Sequence, residues 1–452
     1  MNQTLDAVSV VIDSWAKASE PRWHGGFGDP VRIAPMAVAA DRLIDGSGGP
    51  PIAKALMRTD GLRITYCGPA QFDPEQGSGP ILDLGDRTLM PGLIDCHAHP
   101  GIRPSQNEMG SVATASRHVL NGAAAAWRAL VSGVTTMRVT GAPGVSSQVL
   151  RNAIAEGVFP GPRLLVAGPV ICPTGGHGYS SGIEADGPIK VRRAARQLFK
   201  DDVDFLKLTA TGGGTAGTVR HRGTFTVEEL AAAAAEAEQH DRYATAHVHG
   251  IEGIRRCLDA GIQMLEHGTF VGDDGLEHFD RALAERIRDQ GVPVVPTVQV
   301  NGREAESDTL EELLAGLDEA GQALWKRRLE SFKRRVELVG QLHEVGVTIL
   351  MGSDGGGRPA RIDDLAYGLE LHVRAGVPAM EVIVSSTSLA ARWVGLGDET
   401  GTLRAGLFAD AIAFPGDPLA DITSVAKTDF VMSAGTLIRK PAGVAVPDFS
   451  TV

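Results

Sequence analysis

His97 and His99 in "LIDCHAHPG" are one residue apart, and in an extended strand, where side chains alternate between faces, both project the same way. Two imidazoles so placed can share one cation. A zinc-like ion wants three or more ligands, usually gathered from several segments. Further donors recur along the chain: Lys207 in "FLKLTATG", His247 and His249 in "AHVHG", His267 in "LEHGTF" and Asp354 in "GSDGG". Each has an ordinary reading alone. Lys207 can be a salt-bridged lysine, His247 a core histidine, His267 a strand-end polar group and Asp354 a turn or cap residue. Their order and their common position at the ends of apolar runs point together to a metal centre.

Those runs define the elements that must position the ligands. From Leu89 onward, apolar or β-branched segments alternate with stretches rich in Ala, Glu, Arg and Leu, the pattern of repeated βα units. Strands are expected over 88–99, 133–141, 162–171, 204–212, 243–250, 262–270, 292–300 and 347–356. Eight units close a (β/α)8 barrel, whose C-terminal strand ends form the active site. Between them, "TVEELAAAAAEAEQHD" reads as a helix with Thr226 as its N-cap, and 307–345 as a long helical stretch. Outside the array, residues 31–90 and 400–452 carry short apolar runs broken by turn residues such as "DGSGGPP". The fold class expected is therefore α/β, a TIM-like barrel over 91–399 with a small discontinuous β-sandwich made by the two flanks. Residues 1–30, with Trp15 and Trp23, are left as an unassigned arm.

Bulk properties narrow the function. A chain of 452 residues, 43% hydrophobic, can bury a large core, and its net charge of −12 argues against a broadly basic nucleic-acid surface. Four cysteines at 67, 96, 172 and 257 form neither a C-x-x-C pair nor a disulfide framework, as suits a reducing compartment. The first twenty residues lack a basic start followed by an apolar core, and no apolar stretch reaches membrane-spanning length. A cytoplasmic protein acting on a small molecule is expected, with neither nucleic acid nor membrane as partner.

The histidine, lysine and aspartate motifs together resemble the amidohydrolase superfamily, in particular its imidazolonepropionase and prolidase-like branch. The flanking "GTLRAGLFADAIAF" is similar to that family's C-terminal sandwich segment. The resemblance runs from about residue 31 to 440. It implies two divalent metal ions, zinc by default with manganese, cobalt or iron as alternatives. His97, His99 and Asp354 would hold one, His247 and His267 the other, and Lys207, carboxylated by CO2, would bridge both. An unmodified ammonium, with a pKa of about 10.4, cannot donate to a cation at neutral pH. The reaction implied is hydrolysis of an amide-like C–N bond by a metal-activated hydroxide, with Asp354 passing the proton to the leaving nitrogen. Homo-oligomers are common in the family, so one is expected here by analogy.

The loops are expected to supply substrate contacts. "CPTGGHGYSSG" resembles the family's GGHG loop, making His177 a donor to a carbonyl or developing oxyanion and Tyr179 a further contact. The glycine-rich loop after Lys207 carries Arg220 and Arg222, either of which can clamp a carboxylate. Gln299 and Asn301 follow the seventh strand. His249 is assigned to the substrate side. Were it a ligand instead, Glu252 would complete an H-x-x-E like that of the superfamily's mononuclear deaminases, the alternative reading together with cyclic-amide hydrolysis. Carbamates, ureas, N-acyl amino acids and dipeptides are the substrate classes in view. The segment after Lys207 looks somewhat closer to molinate and phenylurea hydrolases than to dipeptidases.

Overall fold

Thr88–Pro91, just upstream of the first histidine pair, runs antiparallel to Ala411–Phe414, with Met90 opposite Ile412. Around this pair the computed structural model, which describes residues 31–32, 35–101, 112–356 and 360–444, builds a nine-stranded mixed sheet. Met36–Leu43, Ile52–Thr59 and Ile64–Pro69 extend it on one side, and Phe430–Ser433, Thr436–Arg439 and Val31–Arg32 on the other. Val38, Met57, Leu89 and Phe430 are fully buried in its own apolar cluster. The two flanks of the sequence thus meet, as one mixed sheet. The expected arm over 1–30 and the end of the second flank, 445–452, lie outside the described residues.

Between the flanks every strand pairing is parallel. Leu93–Ala98, Val134–Val139 and Arg163–Val166 form one sheet. Ile171–Cys172, Leu206–Thr209, Ala244–Gly250, Met264–Val271 and Val294–Val295 follow in order in another. Asp204 N donates to Val166 O across the gap between the sheets, at 2.8 Å. On the far side, residues 348–355 run between Val294 and the first strand: Leu350 N donates to Val294 O, Cys96 N to Met351 O and His99 N to Gly355 O.

Seven of the expected strands appear as regular elements, several shorter than their apolar runs. The eighth, 347–356, makes only isolated parallel bridges, Ile349 with Val294 and Gly355 with Ala98. Its physical reason is local: Asp354 has φ +53°, which breaks the extended backbone. Gly356 follows at φ +124°, and a Cβ there would lie 1.9 Å from His99 O, so this close approach admits only glycine. The seventh shrinks to Val294–Val295 because Thr297, at φ +46°, turns the chain.

The helix at Val227–Gln239 starts as expected: Thr226 Oγ1 accepts from Glu229 N and Glu229 Oε2 from Thr226 N, a reciprocal cap. The expected helical stretch 307–345 divides into Leu310–Ala315 and Glu319–Val345, the second capped by Asp318 through Gly321 N. Among the described residues no helix is long and apolar enough to cross a membrane.

Candidate metal centre

His97, His99 and Asp354 converge where the first strand meets the 348–355 segment. His97 Nε2 lies 3.2 Å from His99 Nε2, and Asp354 Oδ1 lies 3.4 Å and 3.3 Å from the two. The outer nitrogens decide which atoms face inward. His97 Nδ1 sits 2.7 Å from Glu266 Oε2 and His99 Nδ1 sits 3.2 Å from Gly141 O. Both partners only accept, so each Nδ1 carries the proton and each Nε2 presents a lone pair. Three lone-pair atoms facing one another at 3.2–3.4 Å repel unless a cation sits among them. Without such an ion the contact needs a proton on one Nε2, and that hydrogen bond together with imidazole charge outweighs burial and holds the Asp354 carboxyl well below the usual range.

His247, His249 and His267 form a second group with donor atoms within 4.8 Å of one another. All three are buried, and burial first, then neighbouring charge, depresses each imidazole well below its ordinary pKa, leaving it neutral as a ligand must be. His249 differs from its neighbours. Arg220 Nη2 lies 3.1 Å from its Nδ1, and a guanidinium can only donate, so Nδ1 accepts and the proton rests on Nε2. His249 therefore presents an N–H, not a lone pair. His247 Nε2 faces Gly212 O at 3.3 Å, which leaves Nδ1 as its free donor, and His267 Nδ1 is engaged by Thr297 Oγ1 at 2.8 Å. His267, like Asp354, holds a positive φ, +70°, a conformation costing a non-glycine residue about 1–3 kcal/mol.

Beneath the histidines lies a paired polar layer. Glu266, fully buried, touches His97, Arg138 Nη2 at 3.2 Å and Thr245 Oγ1 at 2.6 Å. Asp95 Oδ1 accepts from His97 N and Ser353 N, and Oδ2 from Ser353 Oγ, which ties the first strand to the turn that presents Asp354. Burial raises the Asp95 carboxyl to about 6 despite those bonds. None of Glu266, Arg138 or Asp95 was singled out from sequence, although each interrupts an apolar strand run with a charge. Lys207 lies in the same interior, 2% exposed, and among the described residues no hydrogen bond or ion pair reaches its amine. Burial lowers it to about 8.

The loops divide the remaining candidates. His177 Nδ1 accepts from Thr215 N at 3.3 Å, which puts its proton on Nε2, and its ring lies tilted against His247, the centroids 4.3 Å apart. Burial pushes this imidazole down to about 4. Gly213 makes the room, since a Cβ would fall 2.6 Å from His247 Nε2 and 2.8 Å from His177 Nε2. Tyr179, 43% exposed, stays outside this cluster, and no contact among the described residues joins it to the histidines. Arg222 is exposed, whereas Arg220 turns inward to His249. Glu252 pairs with Arg256 and accepts from Gly223 N, so it is turned away from His249. Gln299 is buried, with no partner among the described residues for Oε1.

The "Amidohydrolase family" matches residues 88–438. The chain is 29% identical to ochratoxinase of Aspergillus niger over 428 residues, covering 85% of this chain and 82% of that one. Its structure resembles a Xaa-Pro dipeptidase with methionine bound in the active site, at TM-score 0.77 and 27% identity over 90% of this chain and 100% of that one. It also shares the fold of molinate hydrolase, at TM-score 0.74 and 21% identity, covering 93% and 99% of the two chains.

Proposed function

The chain belongs to the amidohydrolase family and is an enzyme of amide C–N bonds, and we propose that it hydrolyses such a bond in a small molecule with two divalent metal ions. In this reading the parallel sheets form one eight-unit barrel, closed through Asp204 on one side and residues 348–355 on the other, with the histidines at its mouth. The observation that carries it is the convergence of His97 Nε2, His99 Nε2 and Asp354 Oδ1 within 3.4 Å. Two imidazole nitrogens, a carboxylate oxygen and a partner for each outer nitrogen suit a divalent ion. His247 and His267 would hold the second ion, and Lys207 would bridge the two as a carbamate. That modification needs an unprotonated amine, and burial moves Lys207 toward it.

Bound ions would supply Lewis acidity, lowering the pKa of water and polarising the scissile carbonyl. The chain's own groups do the rest. The Asp354 carboxylate, ionised and partly exposed, accepts a proton from the attacking water and returns it to the departing nitrogen. His177, with its Nε2–H turned toward His247, is placed to donate to the carbonyl oxygen, and His249 donates from the other side. The outward position of Glu252 favours this reading over the H-x-x-E deaminase, which needs that carboxylate beside the ligands.

The test combines metal analysis with amine release from a mixed panel of N-acyl amino acids, dipeptides, ureas and carbamates. Chelation abolishes turnover, and Asp354→Asn lowers kcat by about 10²–10⁴-fold with the fold intact by circular dichroism. Full turnover by the metal-free protein or by Asp354→Asn would overturn the proposal. A carbamate resonance after equilibration with ¹³C-labelled CO2, absent in Lys207→Ala, checks the bridge.

A further inference from the structure

One half-buried and one buried guanidinium, Arg220 and Arg335, flank the second histidine group, and neither is ion-paired to a carboxylate among the described residues. Arg220 enters from the loop after Leu206–Thr209 and donates to His249. Arg335 comes from the Glu319–Val345 helix, is 7% exposed, and donates through Nη2 to Val300 O. Val300 lies on the short turn that starts at Thr297, the residue holding His267 Nδ1. The two arginines thus approach the stacked pair His249 and His267, whose ring centroids are 4.8 Å apart, from different elements.

Two acids act on them at longer range, Glu277 on both and Asp354 on Arg335, and both are engaged elsewhere. Glu277 Oε1 accepts from Ser331 Oγ at 2.5 Å, and Oε2 faces Arg334 at 3.4 Å. Among the described residues Arg220 and Arg335 make no ion pair, and Arg335 Nε has no hydrogen-bond partner. Burial lowers both, Arg335 to about 10 with the charge of Arg220 adding to it, while Glu277 offsets only part of the shift in each. Elsewhere the chain does not leave buried arginines so: Arg138, Arg151 and Arg163 each reach a carboxylate at 3.0–3.2 Å. Cations withdrawn from water without an ion pair are costly, and two of them beside the candidate metal centre are what an anionic ligand would complete.

We propose that Arg220 and Arg335 form the anion-recognising side of the pocket and select substrates carrying a free carboxylate next to the amide-like bond. This rests on the hydrolase reading above. It assigns a specificity role to a helix residue, Arg335, and leaves Arg222 out of it. A guanidinium fork meets a carboxylate with two parallel bonds, which an ester or primary amide cannot reproduce.

The first measurement compares N-acyl amino acids with their methyl esters as substrates of the metal-loaded enzyme, and by calorimetry as ligands of the same protein. The acid is preferred at least tenfold, and Arg335→Met cuts that ratio by about 10–100-fold, the worth of a charged hydrogen bond. Arg335→Lys restores part of it, and Arg220→Met repeats the loss from the other loop should Arg335→Met fold poorly. Equal binding of acid and ester, or an unchanged ratio in both Met variants, overturns the inference even if amides are hydrolysed. Tight, arginine-dependent binding of the acid upholds it even if no amide is cleaved, in which case the hydrolase reading alone falls.

Discussion

Arg163 and Asp410 lie on the seam between the parallel strands and the mixed sheet, 3.0 Å apart, and Asp410 also accepts from Thr400 Oγ1 and Ala434 N. At the mouth, Lys207, Arg220 and Arg335 are buried or half-buried and make no ion pair among the described residues, although Glu266 and Asp354 act on Lys207, and Glu277 on both arginines, at longer range. The same chain thus treats buried cations in two ways. Where a charge only holds elements together, the fold supplies the counter-charge itself. Where a ligand is to arrive, the direct ion pair is left unmade, and stability is given up in exchange for affinity.

The contrast can be broken by experiment. The largest effect is expected at the seam: Asp410→Ala removes the carboxylate facing Arg163 and three hydrogen-bonding roles at once, costing about 3–5 kcal/mol in urea unfolding. A change below 1 kcal/mol, read from the same urea curves, would show that the seam pair is no more needed than the charges at the mouth.

A buried group kept neutral should come next. His372 Nδ1 lies 2.7 Å from Gly368 O, and burial lowers its imidazole to about 4. Its folded pKa lies below that of a free imidazole, so between about pH 4 and 6.5 the unfolded chain binds the extra proton. Stability is therefore full above pH 6.5 and falls as pH drops toward 4, by about 3 kcal/mol from this group. Replacing it, as His372→Gln, flattens that part of the pH–stability curve; an unchanged slope would remove His372 from the account.

The smallest effect has the opposite sign. In metal-free protein prepared without CO2, Lys207→Met removes a buried cation that makes no ion pair among the described residues and whose burial outweighs the pull of Glu266 and Asp354, and it raises the free energy of urea unfolding by about 1 kcal/mol or more. A loss of stability there would mean that Lys207 is paired after all and would erase the distinction between mouth and seam. With metal and CO2 present, the order reverses.

Much of the site was legible from sequence because strand alternation is local. Odd-numbered positions put His97 with His99 and His247 with His249, and each lies at the end of an apolar run. The reciprocal cap at Thr226 and the meeting of the two flanks were readable for the same kind of reason. Less was legible where backbone leaves the regular pattern. The positive φ of His267 and Asp354 turns side chains that simple alternation would misplace, and the same turn reduces the eighth expected strand to isolated bridges. Tyr179 and Arg222 sit in motifs that suggested contacts, yet a loop's sequence does not say which side chain faces inward.

Residue types and spacing determined the candidate ligands to consider and the βα order of the chain, since each depends on neighbours within a few residues, and the class of chemistry followed from the family those motifs resemble. Only the tertiary structure decided which histidine presents a lone pair. Arg220, 29 residues from His249, fixes that proton, and Glu266, 169 residues from His97, fixes another. Arg335 was invisible in "SFKRRVELVG", where it reads as one more charge on a solvated helix. Its meaning comes from what the packed fold places around it, because pairing and desolvation of charge are set by contacts through space and not along the chain.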